Sequence, residues 1–166
     1  MSARAARGAV QAPAQDWLVL RATPEDLAGV VVAVQELLLE LGGAPPAAEA
    51  LEAAARELIE DRDSGAVLVA RVRDEVVGML AASWQLAMHV PGRYALIQDL
   101  WVHSAWRSRS IGADLVTALV ELARERGFPR TEVGLPRESF AGIAATEAFY
   151  QDNDFQSLGP RMRRLL

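Results

Sequence analysis

The sequence predicts a mixed α/β fold: a central mixed sheet with helices packed on its faces. Three observations predict it. The chain opens with apolar residues at helical spacing, then changes to two β-branched runs joined by a short polar turn, then alternates strand and helix to its end. A run of helices followed by an antiparallel hairpin and only later by strand–helix alternation argues against a purely parallel, doubly wound sheet.

The elements run in this order. Trp17 to Arg21 is short and weakly alternating, as a first strand. Thr23-Pro24-Glu25-Asp26 reads as a helix start, with an N-cap, proline at the first position and an acidic third residue. Leu27, Val30, Val31, Val34, Leu37, Leu38 and Leu41 then form one stripe, and Gly42-Gly43 ends the helix. A second helix, rich in alanine and glutamate, is expected from Ala47 to Asp61, with Leu51, Leu58 and Ile59 buried. Ala66 to Val72 and Val76 to Gln85 form the hairpin about Arg73-Asp74-Glu75. Beyond Pro91-Gly92, Ala95 to Val102 is a strand, and Ile111 to Arg126 is an amphipathic helix buried through Leu115, Leu119 and Leu122. A short strand at Thr131 to Leu135, a helix holding Ala144 to Gln151 and a last strand within Phe155 to Leu166 complete the reading.

Length and composition bound the rest. A chain of 166 residues suits one domain with a sizeable core, expected over 17–166. Met1 to Asp16 has two arginines but no hydrophobic block of the secretory kind, and is expected as a disordered lead-in. No stretch approaches the ~20 apolar residues of a membrane span, so a soluble, cytoplasmic protein with no membrane partner is expected. The absence of cysteine excludes disulfides, thiolate metal sites and a covalent acyl-cysteine. With 17 basic against 22 acidic residues, the chain lacks the positive surplus that nucleic acids reward. His89 and His103 have no partner at metal-ligand spacing, so no metal is expected.

One segment carries chemistry. Val102-His103-Ser104-Ala105-Trp106-Arg107-Ser108-Arg109-Ser110-Ile111-Gly112-Ala113 joins the end of a strand to the start of a helix. Unpaired N–H groups and the positive dipole end at such a helix start can close around phosphate oxygens, and Arg107 and Arg109 can add charge. The segment matches neither dinucleotide nor ATP-binding glycine patterns, and read by itself it is equally a solvated loop.

The pattern Val-x-x-x-x-Arg-x-x-Gly-x-Gly between strand and helix, followed further on by Phe149-Tyr150-Gln151-Asp152-Asn153-Asp154-Phe155, resembles the GNAT superfamily of N-acetyltransferases over nearly all of Trp17 to Leu166. Arg107, Ser110 and Gly112 stand at the arginine and the two glycines, so Ser110 replaces a glycine, as does Asp154 in the later Gly-Phe. Asp74-Glu75-Val76-Val77-Gly78-Met79 and Ile97-Gln98-Asp99-Leu100-Trp101-Val102 look most like small-amine acetyltransferases, including those for aminoalkylphosphonates and diamines.

The resemblance implies the acyl-CoA N-acyltransferase (GNAT) fold, an α/β (α+β mixed) fold with a central mixed, mostly antiparallel sheet flanked by helices, and transfer of acetyl from acetyl-CoA directly to a primary amine of a small molecule. It implies that Leu100, Trp101, Val102, Arg107, Ser108, Arg109, Ser110, Ile111, Gly112 and Ala113 bind the coenzyme, on a strand splayed from its neighbour. Dimers are frequent among such proteins, so a homodimer is compatible. Tyr150 matches the family's proton donor, and a phenol stays protonated at neutral pH; by spacing alone, Phe149, Tyr150 and Phe155 are equally core aromatics. Diamine acetyltransferases carry a carboxylate pair on the strand, where this chain has Gln98 and Asp99. Asp99 can act through water, bind the ammonium, or bond to neighbouring backbone. Trp84, Trp101 and Trp106 can line an acceptor pocket or the core. Two rivals remain: a non-catalytic acyl-CoA binder and an acetyltransferase acting on protein or peptide amines.

Overall fold

The computed structural model describes residues 16–159 and 162–165. Apart from Asp16, the expected lead-in Met1–Asp16 lies outside the described residues. The elements are β1 (Leu18–Arg21), α1 (Leu27–Glu40), α2 (Ala48–Glu60), β2 (Gly65–Val72), β3 (Glu75–Ala87), β4 (Gly92–Val102), α3 (Ile111–Glu125), β5 (Thr131–Val133) and α4 (Ile143–Asp152), with single 3-10 turns at Pro24–Asp26 and Ser104–Trp106. The sheet runs in sequence order, β1-β2-β3-β4-β5, antiparallel except for the parallel β4–β5 pair. None of the described helices is long and apolar enough to cross a membrane.

The helices cover both faces of the sheet, and β2 shows the consequence. Ala66, Val67, Leu68, Val69 and Ala70 are all buried, because alternate side chains enter different cores. Ala66, Leu68 and Ala70 join Leu80, Ile97, Ile111, Leu115 and Leu119 beneath α3 and α4. Val67 and Val69 join Met79, Ala81, Val30, Ala33 and Ile59 beneath α1 and α2. Leu27 and Val30 are buried as the helical stripe predicts, with Ala33 between the same turns.

Between Thr23 and α1 a capping interaction holds the chain. The Thr23 N–H donates to Asp26 Oδ2 at 2.8 Å, and Arg71 on β2 donates to the same carboxylate through Nε and Nη2. Burial alone would push the Asp26 carboxyl up, but these hydrogen bonds outweigh it and hold the group below its ordinary range.

Two irregularities open the sheet along one side of β4. Ala81 pairs with Asp99 but Ala82 pairs with Ile97, so Gln98 is the extra residue of a β-bulge in β4. The β4–β5 ladder spans only Ala95–Ile97 against Thr131–Val133. Beyond the bulge, β4 is paired to β3 alone.

The last strand expected within Phe155 to Leu166 does not form among the described residues. Its alternation stops at Gly159, held at φ 102, and the proline that comes next in sequence has no N–H to give a ladder.

Three helices end in the same hydrogen-bonded motif with a left-handed residue after the cap. Gly42 (φ 76) closes α1 and Gly127 (φ 72) closes α3, whereas α4 is closed by Asp154 at φ 66. There the Phe155 N–H donates to Tyr150 O at 3.0 Å and the Asp154 N–H to Gln151 O at 3.1 Å. A side chain in this conformation strains the backbone where glycine does not. Asp154→Gly is therefore expected to stabilise the fold by about 1 kcal/mol, read as a higher urea midpoint at unchanged slope.

Candidate active site

Where β4 and β5 part, a cavity of about 880 Å³ opens. Its walls come from four parts of the chain: the end of α1, β4 from Ile97 to Val102, the loop and first turn of α3, and the segment from Val133 through α4. Every site residue expected from sequence lines it except Arg109. The Arg109 guanidinium instead lies over the Trp106 ring, 4.9 Å from its centroid, as a cation–π contact.

The loop before α3 has a specific backbone shape. Ser108 (φ 61) and Ser110 (φ 69, ψ 3) both adopt the left-handed conformation, and Ser110 is the N-cap of α3. The Ser110 carbonyl accepts from the Asp114 N–H at 2.9 Å, but its side chain makes no cap bond. The N–H groups of Ile111, Gly112 and Ala113 precede the first intrahelical donor, and all three residues line the cavity. These orphan amides, at the positive end of a helix of 15 residues, form a cradle suited to a phosphate group.

Close packing seats that cradle. A Cβ built on Gly78 of β3 would lie 2.8 Å from Ile111 Cγ2, and one on Gly112 would lie 3.2 Å from the Phe149 ring. The first glycine lets α3 settle on the sheet; the second lets α4 settle on α3. Phe149, Tyr150 and Phe155 pack edge to face, with centroids 5.1 and 5.3 Å apart.

Tyr150 is thus both things its spacing allows, a core aromatic and a cavity residue. Burial pushes its phenol up from the ordinary value, and the nearby Asp99 carboxylate pushes it further. Burial likewise raises the Asp99 carboxyl. At the bulge Gln98 is exposed and donates to Ser83 Oγ at 2.8 Å, while Asp99 is half-buried, and both line the cavity. Two titratable groups 51 positions apart in sequence therefore meet at one gap in the sheet.

The three tryptophans separate. Trp84 is core: it packs on Phe128 and donates to Arg62 O at 3.0 Å. Trp101 and Trp106 line the cavity. The buried Trp101 indole N–H has no hydrogen-bond partner among the described residues, and its ring meets His103 edge on. His103 is exposed, and its Nδ1 accepts from the Ala105 N–H at 3.2 Å.

Sequence reasoning missed the α1 wall. Leu37 and Leu41 line the cavity, yet their helical spacing is the same whether such a face meets a core or an opening. Glu40, also in the wall, sits on the helix's polar side and carries no local signal.

The comparisons with known proteins agree with this geometry. Residues 31–153 match the model of the acetyltransferase (GNAT) family. No curated protein matches the sequence significantly. Among solved structures, the chain is similar to a possible acetyltransferase from Clostridium difficile 630, at 16% identity and a TM-score of 0.78, over 92% of this chain and 98% of that one. It is also similar to a ribosomal-protein-alanine N-acetyltransferase from Brucella melitensis biovar Abortus 2308, at 18% identity and 0.69, over 91% and 100%. A third is the aminoglycoside N-acetyltransferase AAC(6')-Iy in complex with CoA, at 14% identity and 0.74, over 90% and 94%. At such identities the likeness establishes the fold, while the family match covers most of the chain and includes the cradle, β4 and the tyrosine. The chain belongs to the acetyltransferase (GNAT) family and is an acyl-CoA-dependent N-acetyltransferase.

Proposed function

We propose that this enzyme transfers acetyl from acetyl-CoA directly to the primary amine of a small molecule, with Tyr150 as proton donor and Asp99 as the acceptor's carboxylate. The observation that carries this reading is the meeting of Tyr150 and Asp99 in the same cavity as the α3 cradle.

The cradle of Ser108, Ser110, Ile111, Gly112 and Ala113 would hold the coenzyme's diphosphate, with Arg107 adding charge. The coenzyme supplies an acetyl thioester, an acyl donor with a good leaving group. Leu100, Trp101 and Val102 lie on the part of β4 that has no partner on its β5 side; the Val102 carbonyl there accepts from Arg107, and the remaining outward main-chain groups are left to orient the donor. An N–H directed at the carbonyl oxygen is worth about 3 kcal/mol of barrier. Tyr150, kept protonated by burial and by Asp99, holds a proton for the departing sulfur.

Asp99 has no hydrogen-bond or ion-pair partner among the described residues, and its desolvation is uncompensated until a cation arrives. It binds the acceptor's ammonium and takes up its proton, directly or through water. All 17 basic side chains of the sequence are arginine, so no lysine amine of the chain competes for the acetyl group.

Thiol release from acetyl-CoA across a panel of small amines, alongside mass spectrometry of peptides under the same conditions, tests the reading. Coenzyme binding without turnover on any acceptor would leave a non-catalytic binder, and peptide acetylation alone would leave a protein-modifying enzyme.

Three variants probe the assigned roles. Tyr150→Phe is expected to lower kcat about 100-fold with the coenzyme Kd unchanged by calorimetry. Gly112→Glu presses its Cβ on the Phe149 ring and brings a carboxylate to the cradle, and is expected to abolish coenzyme binding in the same assay. For Asp99, the raised carboxyl loses its proton above the ordinary carboxylate range. The acidic limb of kcat/KM against pH should therefore lie above about 4, with activity rising as pH rises through it, and should vanish in Asp99→Asn.

A further inference from the structure

Arg107 is the one cation among the described residues lining the cavity, and it is already engaged. Its Nε–H donates to Val102 O at 2.9 Å, which fixes the stem of the side chain to the end of β4. Its Nη2 lies 2.5 Å from Glu40 Oε1. Glu40 is the last residue of α1, 67 positions away in sequence, and lines the same cavity.

Helix physics does not favour a carboxylate at that place. The last turn of α1 holds no basic residue, and a negative group there faces the negative end of the helix dipole. The carboxylate is instead matched to a partner outside its helix. Both side chains are close to half exposed, at 46% for Arg107 and 40% for Glu40. An ion pair in that setting is weak and exchangeable, whereas an arginine facing phosphate oxygens makes strong, charge-assisted and commonly bidentate hydrogen bonds. Only Nη2 is committed to Glu40, so a modest swing of the guanidinium about its anchored Nε suffices to change partners.

We propose that Glu40 competes with the coenzyme diphosphate for Arg107. In the free protein Glu40 holds the guanidinium at the cavity wall and ties the end of α1 to the loop before α3. Binding transfers the guanidinium to the diphosphate and frees both the carboxylate and the end of α1. Glu40 is thus a positioning residue that acts through Arg107 and weakens coenzyme binding. This rests on the reading that the diphosphate sits at Arg107 to Ala113.

The test is a double-mutant cycle by calorimetry with CoA on the full chain: wild type, Glu40→Gln, Arg107→Gln and the double variant, each at low and high NaCl. Glu40→Gln is expected to tighten binding about two- to fivefold, the worth of a half-exposed ion pair. That gain should shrink at high salt and disappear in the Arg107→Gln background. In turnover, the same variant should lower the KM for acetyl-CoA at unchanged kcat, a split that mere damage to α1 would not produce. Unchanged or weaker binding by Glu40→Gln overturns the proposal, as does an equal gain in the Arg107→Gln background, which would mark simple charge repulsion. If Arg107→Gln binds CoA as wild type does, the diphosphate reading itself fails. If Arg107→Gln weakens binding while Glu40→Gln changes nothing, only the competition fails.

Discussion

The site depends on a ladder that stops early. β4 and β5 are held together over three residue pairs, and the strand then takes in one extra residue at Gln98. A bulge bends and twists the strand that carries it, and its neighbour cannot keep pace. The wedge left between the strands is the place in the sheet where main-chain groups, a carboxylate from one face and a phenol from the opposite core can meet. A sheet paired along its full length would put Asp99 and Tyr150 on separate sides of a continuous barrier.

Around that wedge the packing is unforgiving. A methyl group would collide with Ile111 of α3 if placed on Gly78, and would press tightly on the Phe149 ring of α4 if placed on Gly112. Protein interiors are dense enough that such contacts are positional constraints, not slack. The sheet therefore sets the height of α3, and α3 sets the height of α4. By contrast, Ser108 and Ser110 accept backbone strain that glycine would relieve, and they do so in the loop facing the cavity, where strained conformations concentrate in functional sites.

Much of this is legible in the sequence. The hairpin, β4, α3 and α4 emerge from periodicity and punctuation, because each has a buried face wide enough to impose its period. The cradle is legible through its place between a strand and a helix. The last strand is not: the apolar residues after Phe155 suggest pairing, and Gly159 with its proline ends the pattern before a ladder can form. The bulge, the α1 wall and the Arg107–Glu40 contact leave no local trace. A bulge adds one residue to an apolar strand without changing its composition, and an ion pair across 67 positions exists only after folding.

The contact between Gly112 and the Phe149 ring has a mechanical consequence. Phe149 precedes Tyr150 on the same helical turn, so one aromatic ring stands as a spacer between the first-turn amides of α3 and the helix that carries the phenol. A rigid spacer of that kind works as a caliper: it fixes the span between the first turn of α3 and the phenol, so the two ends of the cavity keep one separation.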